Sequence, residues 1–110
     1  MDYDRIYHIA LPADWEAAVE VGQYRVSTRG RTLEEEGFIH CSASGEQVHR
    51  VAQAFYAGVD DLVILTIDPW RVGAPVHFEA VGPDGEEYPH IYGPLPVDAV
   101  ISAEPYNLRL

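Results

Sequence analysis

A six-residue run at positions 62–67, Leu-Val-Ile-Leu-Thr-Ile, constrains the fold of this chain more than any other feature. It is the longest apolar stretch, and it is much shorter than the roughly 20 residues that a membrane-spanning helix needs. Its length is typical of a β-strand. Because both of its faces are apolar, we expect a strand that is covered on both sides. The sequence therefore predicts a central strand over residues 62–68.

A β-hairpin is predicted over residues 76–92, because Gly-Pro-Asp-Gly at 82–85 has proline and glycine placed for a type I turn. A four-residue loop pairs His77 with His90 and Glu79 with Tyr88, and directly opposed residues point to the same face. One face should therefore be polar, made of His77, Glu79, Tyr88, His90 and Tyr92. The other face is predicted to belong to the core and is made of Val76, Phe78, Ala80 and Ile91.

Three segments carry the signals of short helices. The first, over residues 12–21, has Asp14 as its expected N-cap, and the second begins with the capping box Thr-Leu-Glu-Glu at 32–35. The third begins with Ser-Gly-Glu-Gln at 44–47, has apolar residues at helical spacing and is expected to end at Gly58. Further strands are expected over residues 3–10, 24–27, 38–41 and 97–103. These elements predict one α+β domain over residues 1–110, with a small mixed or antiparallel sheet and two or three short helices.

The charge and the composition of the chain limit the kinds of molecule that it can bind and the chemistry that it can perform. The net charge is −11, from 18 acidic and 7 basic residues, and a surface this acidic repels nucleic acid and anionic membranes. All seven basic residues are arginine, which excludes lysine chemistry such as Schiff-base formation. A side chain that holds an anion must therefore be arginine or histidine. The single cysteine, Cys41, excludes an internal disulfide, and with no signal peptide at the N-terminus we expect a cytoplasmic protein.

Histidines recur beside other reactive groups at three strand or strand-end positions: His8, His40 and His90. Along a strand, His40 and Ser42 share a face and Cys41 points away, so a Cys41–His40 nucleophile pair is not expected and Cys41 should pack in the core. We expect these imidazoles and the hairpin carboxylate to meet in one cleft.

A metal site is an alternative for the hairpin, because His77, Glu79 and His90 match a His-x-Glu…His triad in residue type. The spacing is short and all three lie on one hairpin, so no metal is expected. The sequence has no glycine-rich phosphate loop and no Gly-x-Ser-x-Gly elbow.

Two strings are specific enough to suggest a family: Gly-Phe-Ile-His-Cys-Ser at 37–42 and Pro-His-Ile-Tyr-Gly at 89–93. With them the chain resembles the domain of unknown function 952 family, which has no established activity. The resemblance covers nearly the whole chain and also includes residues 6–9, Trp15, Gly22, Tyr24, Gln47, Tyr56, 62–68 and Glu79. It implies a fold similar to that of ADP-ribosyltransferases, a small split α+β sheet that clamps nicotinamide adenine dinucleotide (NAD).

The resemblance also implies roles for individual residues. Glu79 would orient a ribose hydroxyl and stabilise the cation that forms as nicotinamide leaves, and His8 and His40 would hold the base side as the other catalytic candidates. The expected cofactor-binding residues are His8, His40, Ser42 and Tyr56, together with His90 and Tyr92 from the polar face of the hairpin.

The first functional hypothesis is therefore a cleft that binds NAD or another ribose-containing nucleotide, with transferase or NAD glycohydrolase activity left open. The second is a non-enzymatic module that binds a small ligand or a protein through the same cleft. The expected partner is a small molecule, with no nucleic acid or membrane. The oligomeric state is not determined by the sequence.

Overall fold

Ten short strands and three helices form residues 3–107, the part of the chain that this computed structural model describes. The strands are β1 (Ile6–Ala10), β2 (Gln23–Tyr24), β3 (Val26–Thr28), β4 (Arg31–Thr32), β5 (Ile39–His40), β6 (Leu62–Ile67), β7 (Val76–Ala80), β8 (Glu87–Ile91), β9 (Leu95–Pro96) and β10 (Val100–Tyr106). The helices are α1 (Pro12–Val21), α2 (Leu33–Glu36) and α3 (Gly45–Phe55), with 3₁₀ turns at Pro69–Arg71 and Val97–Ala99. The predicted α+β class is confirmed.

Strand β6 is central, as its apolar run predicts. It lies between β1 and β10, and both neighbours are antiparallel to it. On one face Leu65 and Ile67 pack in the larger core cluster, and on the other face Leu62 packs with Val48 and Ala52 of α3. Burial on both faces explains why the strand does not alternate between polar and apolar residues. The last strand was predicted over 97–103, but a 3₁₀ turn occupies 97–99 and the strand runs to Tyr106.

The 76–92 hairpin has the predicted register. His77 pairs with His90 and Glu79 with Tyr88, and the amide of Gly85 donates to the carbonyl of Gly82 at 3.3 Å. The prediction of a core face is correct for Ile91, which is fully buried, and wrong for Ala80 and for Phe78, which is 36% exposed. The reason is the sheet order β5-β8-β7, which makes β7 an edge strand that the core covers incompletely.

The two three-stranded sheets are joined by one pair of backbone hydrogen bonds. The amide of Tyr7 donates to the carbonyl of Ser42 at 2.8 Å, and the amide of Ser42 donates to the carbonyl of Tyr7 at 2.7 Å. Tyr7 belongs to β1, and Ser42 follows β5. This bridge therefore brings His8 next to His40, although 32 positions separate them in the sequence.

The ends of α2 are as predicted, and each of the other two helices differs from the prediction at one end. Thr32 and Glu35 form the reciprocal capping box. Helix α1 begins one residue after Leu11, with Pro12 in its first turn, so Asp14 lies inside the helix and is not its N-cap. Helix α3 is capped by the Ser44 hydroxyl, but it ends at Phe55 and not at Gly58. Within residues 3–107, no helix is long and apolar enough to cross a membrane.

Candidate functional site

The ring of His8 is buried and both of its nitrogens are hydrogen-bonded to the protein. Nδ1 lies 2.5 Å from the carbonyl oxygen of His40, and Nε2 lies 2.9 Å from the hydroxyl of Tyr24. A carbonyl can only accept, so Nδ1 carries the proton and the neutral ring accepts from Tyr24 through Nε2. Burial lowers the pKa of His8 to about 4, so the ring is uncharged at neutral pH. His8 therefore links β1, β2 and β5.

A cleft of about 560 Å³ opens beside this histidine, between β1, β3, α3 and the tip of the hairpin. Its floor is formed by buried residues: His8, Ile9, Ser27, Cys41, Ser42 and Tyr56. The hydroxyl of Ser27 is buried and has no hydrogen-bond partner among residues 3–107. Burial raises the pKa of the Cys41 thiol, so the thiol stays protonated. Cys41 is thus a core residue, as predicted, and the floor offers hydroxyls but no thiolate.

The rim of the cleft is exposed, and it is rich in arginine. Arg29 lies in the turn between β3 and β4, Arg31 begins β4, and Arg50 comes from α3. Phe55 is 57% exposed and Val81 is 51% exposed on the same rim. We call this hollow the arginine cleft, because three of the seven arginines of the chain line it.

The three arginines differ in what they contact. Arg31 donates to Glu36 from two nitrogens, at 2.9 and 3.1 Å, and Arg50 pairs with Glu86 of the hairpin. Arg29 donates to the carbonyl of Phe55 at 3.3 Å, and no carboxylate within residues 3–107 lies within 4.0 Å of it. Arg29 therefore keeps most of its five N–H donors for other partners.

A second group of polar and aromatic side chains surrounds His90, and we call it the hairpin cluster: Phe38, His40, Glu79, His90 and Tyr92. The ring of Phe38 stacks on His90 with centroids 4.1 Å apart, and the ring of His40 meets His90 edge to face at 4.9 Å. The Nδ1 of His90 donates to Glu79 at 2.7 Å, whereas its Nε2 is buried without a partner within residues 3–107.

Glu79 accepts a second hydrogen bond on the same oxygen, from the hydroxyl of Tyr92. This bond, followed by that of His90, lowers the pKa of the Glu79 carboxyl. The same contact with Glu79 raises the pKa of the Tyr92 phenol. The carboxylate is therefore held in its charged form by its two neighbours.

The predicted site residues divide into two groups. His8, His40, Ser42 and Tyr56 line the arginine cleft, whereas Glu79, His90 and Tyr92 belong to the hairpin cluster and are not among the residues that line the cleft. His40 takes part in both, since it lines the cleft and its ring contacts His90. Burial, followed by the electrostatic interaction with the neighbouring ring of His90, lowers the pKa of His40. The sequence predicts one cleft for all of these residues. The structure instead divides them between the arginine cleft and the adjoining hairpin cluster, and His40 belongs to both.

The hairpin triad has no geometric support as a metal site. Among residues 3–107, no three His, Cys, Asp or Glu side chains are arranged to hold one ion. His77 is exposed, and the Nδ1 of His90 is directed at Glu79.

Sequence reasoning missed the rim arginines and one buried amide. The side chain of Gln47 accepts from the amide of Ala43 at 2.8 Å and donates to the carbonyl of Glu87 at 2.9 Å, which fixes the start of α3 against the hairpin. The sequence places Gln47 in a capping box and among the residues of the family resemblance, but it does not predict these contacts with the hairpin. The sequence could have indicated the arginines as candidates for anion binding, because a chain without lysine has few other side chains that can hold an anion.

The chain belongs to a family of proteins of unknown function, DUF952, whose profile matches residues 9–103. The resemblance that the sequence strings indicate is thereby confirmed at the level of the family. The X-ray structure of protein CC0527 from Caulobacter crescentus is similar, with 34% sequence identity and a TM-score of 0.78 over 92% of this chain and 84% of that one. A double mutant of the same Caulobacter protein matches equally well. No curated protein matches the chain significantly.

Proposed function

We propose that the arginine cleft binds a ribose-containing nucleotide, with NAD as the candidate. The observation that carries the proposal is the gathering of three of seven arginines at one cleft in a chain whose net charge is −11. The net charge of the protein repels anions, and Arg29 on this rim has no carboxylate within 4.0 Å among residues 3–107, so the rim is the favoured place for a phosphate group.

The rest of the lining suits the other parts of a nucleotide. A cavity of about 560 Å³ lies within the usual size range of small-molecule sites. The hydroxyls of Ser27 and Ser42 on the floor match the hydrogen-bonding groups of a ribose. Phe55 and Tyr88 supply aromatic surface for a base. The same proposal includes an ADP-ribosyltransferase-like arrangement of the sheets. It also includes a cytoplasmic location, with which the buried free thiol of Cys41 is in keeping.

Titration of the ¹⁵N-labelled protein with NAD or ADP-ribose tests the proposal. We expect shift changes at the amides of Arg29, His40, Ser42 and Tyr56, because these residues line the cleft. Ile101, which is exposed on β10 and does not line the cleft, is the internal reference. Cleft amides that stay unmoved at millimolar ligand would remove the proposal.

A second candidate is binding without turnover, and the position of Glu79 favours it. The carboxylate that would stabilise the leaving-group cation belongs to the hairpin cluster and not to the lining of the cleft. A group that stabilises a transition state must lie within contact distance of the developing charge.

Comparison of the wild type with Glu79→Gln separates the two candidates. We expect equal background rates of NAD hydrolysis, because Glu79 is outside the cleft, and unchanged nucleotide affinity. The release of nicotinamide measures the rate of hydrolysis, and calorimetry measures the affinity. A measurable wild-type rate that drops tenfold or more in Glu79→Gln would instead support the glycohydrolase or transferase candidate.

A further inference from the structure

Carboxylates neutralise two of the three arginines on the rim of the arginine cleft. Arg31 has Glu35 at 3.9 Å and Glu36 at 2.9 Å. Arg50 has Glu46 at 3.3 Å and also pairs with Glu86. The three rim arginines and these four glutamates together carry one net negative charge at neutral pH. The cleft therefore offers much less positive charge than its arginine count indicates.

Arg29 is the exception on this rim. Within residues 3–107 its side chain donates one hydrogen bond, from a single nitrogen to the carbonyl of Phe55 at the C-terminal end of α3. The guanidinium is exposed, and it lies at the edge of the same cleft. A planar guanidinium with free donors can hold one phosphate through two parallel hydrogen bonds. The charges of Arg31 and Arg50 are already balanced by carboxylates, so a phosphate gains less from either of them.

We infer that Arg29 is the anion-binding residue of the cleft and that the paired glutamates select against highly charged ligands. The inference rests on the proposed function and narrows it to nucleotides that place a single phosphate at Arg29. The extra negative charge of a triphosphate would be repelled by Glu36, which lines the cleft, and by the two carboxylates paired with Arg50. The affinity of the cleft for a nucleotide should therefore not increase with the number of phosphates. In a site whose arginines are all unpaired, it would increase.

The experiment compares AMP, ADP, ATP and NAD by calorimetry at low ionic strength with EDTA present, so that no divalent cation masks the phosphate charge. We expect ATP to bind no more tightly than AMP. A rise of tenfold or more from AMP to ATP would overturn the charge selection and leave nucleotide binding intact. Failure of all four ligands to bind at millimolar concentration would overturn the inference together with the proposed function.

Three variants test the individual residues. Arg29→Gln should weaken AMP binding by roughly tenfold or more, since a charge-assisted contact to phosphate is lost. Arg25→Gln is the matched control, because Arg25 is exposed, pairs with Glu34 and does not line the cleft; it should bind AMP as the wild type does. Glu36→Gln should raise the affinity for ATP relative to AMP severalfold. Equal AMP affinities of Arg29→Gln and Arg25→Gln, or an unchanged ratio in Glu36→Gln, would each contradict the assignment, provided that thermal melts show that the variants are folded.

Discussion

Replacement of His8 by alanine should lower the free energy of unfolding by about 3–5 kcal/mol. Two losses add to give this effect. The buried ring leaves a cavity, and the carbonyl of His40 and the buried hydroxyl of Tyr24 each lose a hydrogen-bond partner. Urea denaturation followed by circular dichroism measures the change.

Two further variants show which part of the effect is due to the hydrogen bonds. Tyr24→Phe removes only the hydroxyl that donates to Nε2 and should cost about 1–3 kcal/mol. His77→Ala removes an exposed imidazole and should change stability by less than about 0.5 kcal/mol. A His8→Ala protein as stable as His77→Ala would contradict a structural role for His8.

The stability of the protein should fall on acidification by about 2 kcal/mol between pH 6.5 and pH 5, owing to His8 alone. Burial lowers the pKa of His8 from 6.5 to about 4 in the folded protein. Between these two values the unfolded chain binds a proton that the folded chain does not, so protons favour unfolding. Above pH 6.5 both states are neutral at this position and the contribution vanishes. The lowered pKa of His40 acts in the same direction.

Denaturation curves at several pH values, compared between two variants, isolate this contribution. His8→Gln should lose most of the slope between pH 5 and pH 6.5. His49→Gln should keep it, because His49 is an exposed residue of α3. A slope that survives in His8→Gln would place the acid-sensitive group elsewhere in the molecule.

The parts of the fold that could be predicted are those that local sequence determines. The proline and glycine of the 82–85 turn fix the register of the hairpin, and the capping box at Thr32 and Glu35 fixes the start of α2. The two-sided apolar run identifies β6 as central. Each of these signals lies within a few residues of the structure that it determines.

The division of the site could not be predicted in this way, because it depends on contacts between distant segments. Alternation along the hairpin places Glu79 and His90 on one face, and they do interact. It does not show that Phe38 stacks on His90 or that His8 turns toward Tyr24. The arginines of the rim likewise come together only because the β3–β4 turn lies close to α3, and no sequence motif predicts that these two segments meet.

At Ser42 the backbone and the side chain serve different purposes: the backbone joins the two sheets through Tyr7, and the side chain lines the cleft. The seam between the two sheets uses only main-chain atoms of Ser42, so its integrity does not depend on the side chain there. Every residue except proline has the backbone donor and acceptor that this seam needs. The hydroxyl of Ser42, which lines the cleft, is therefore not needed to hold the sheets together, so the polarity of the cleft floor can change at this position while the two sheets stay joined.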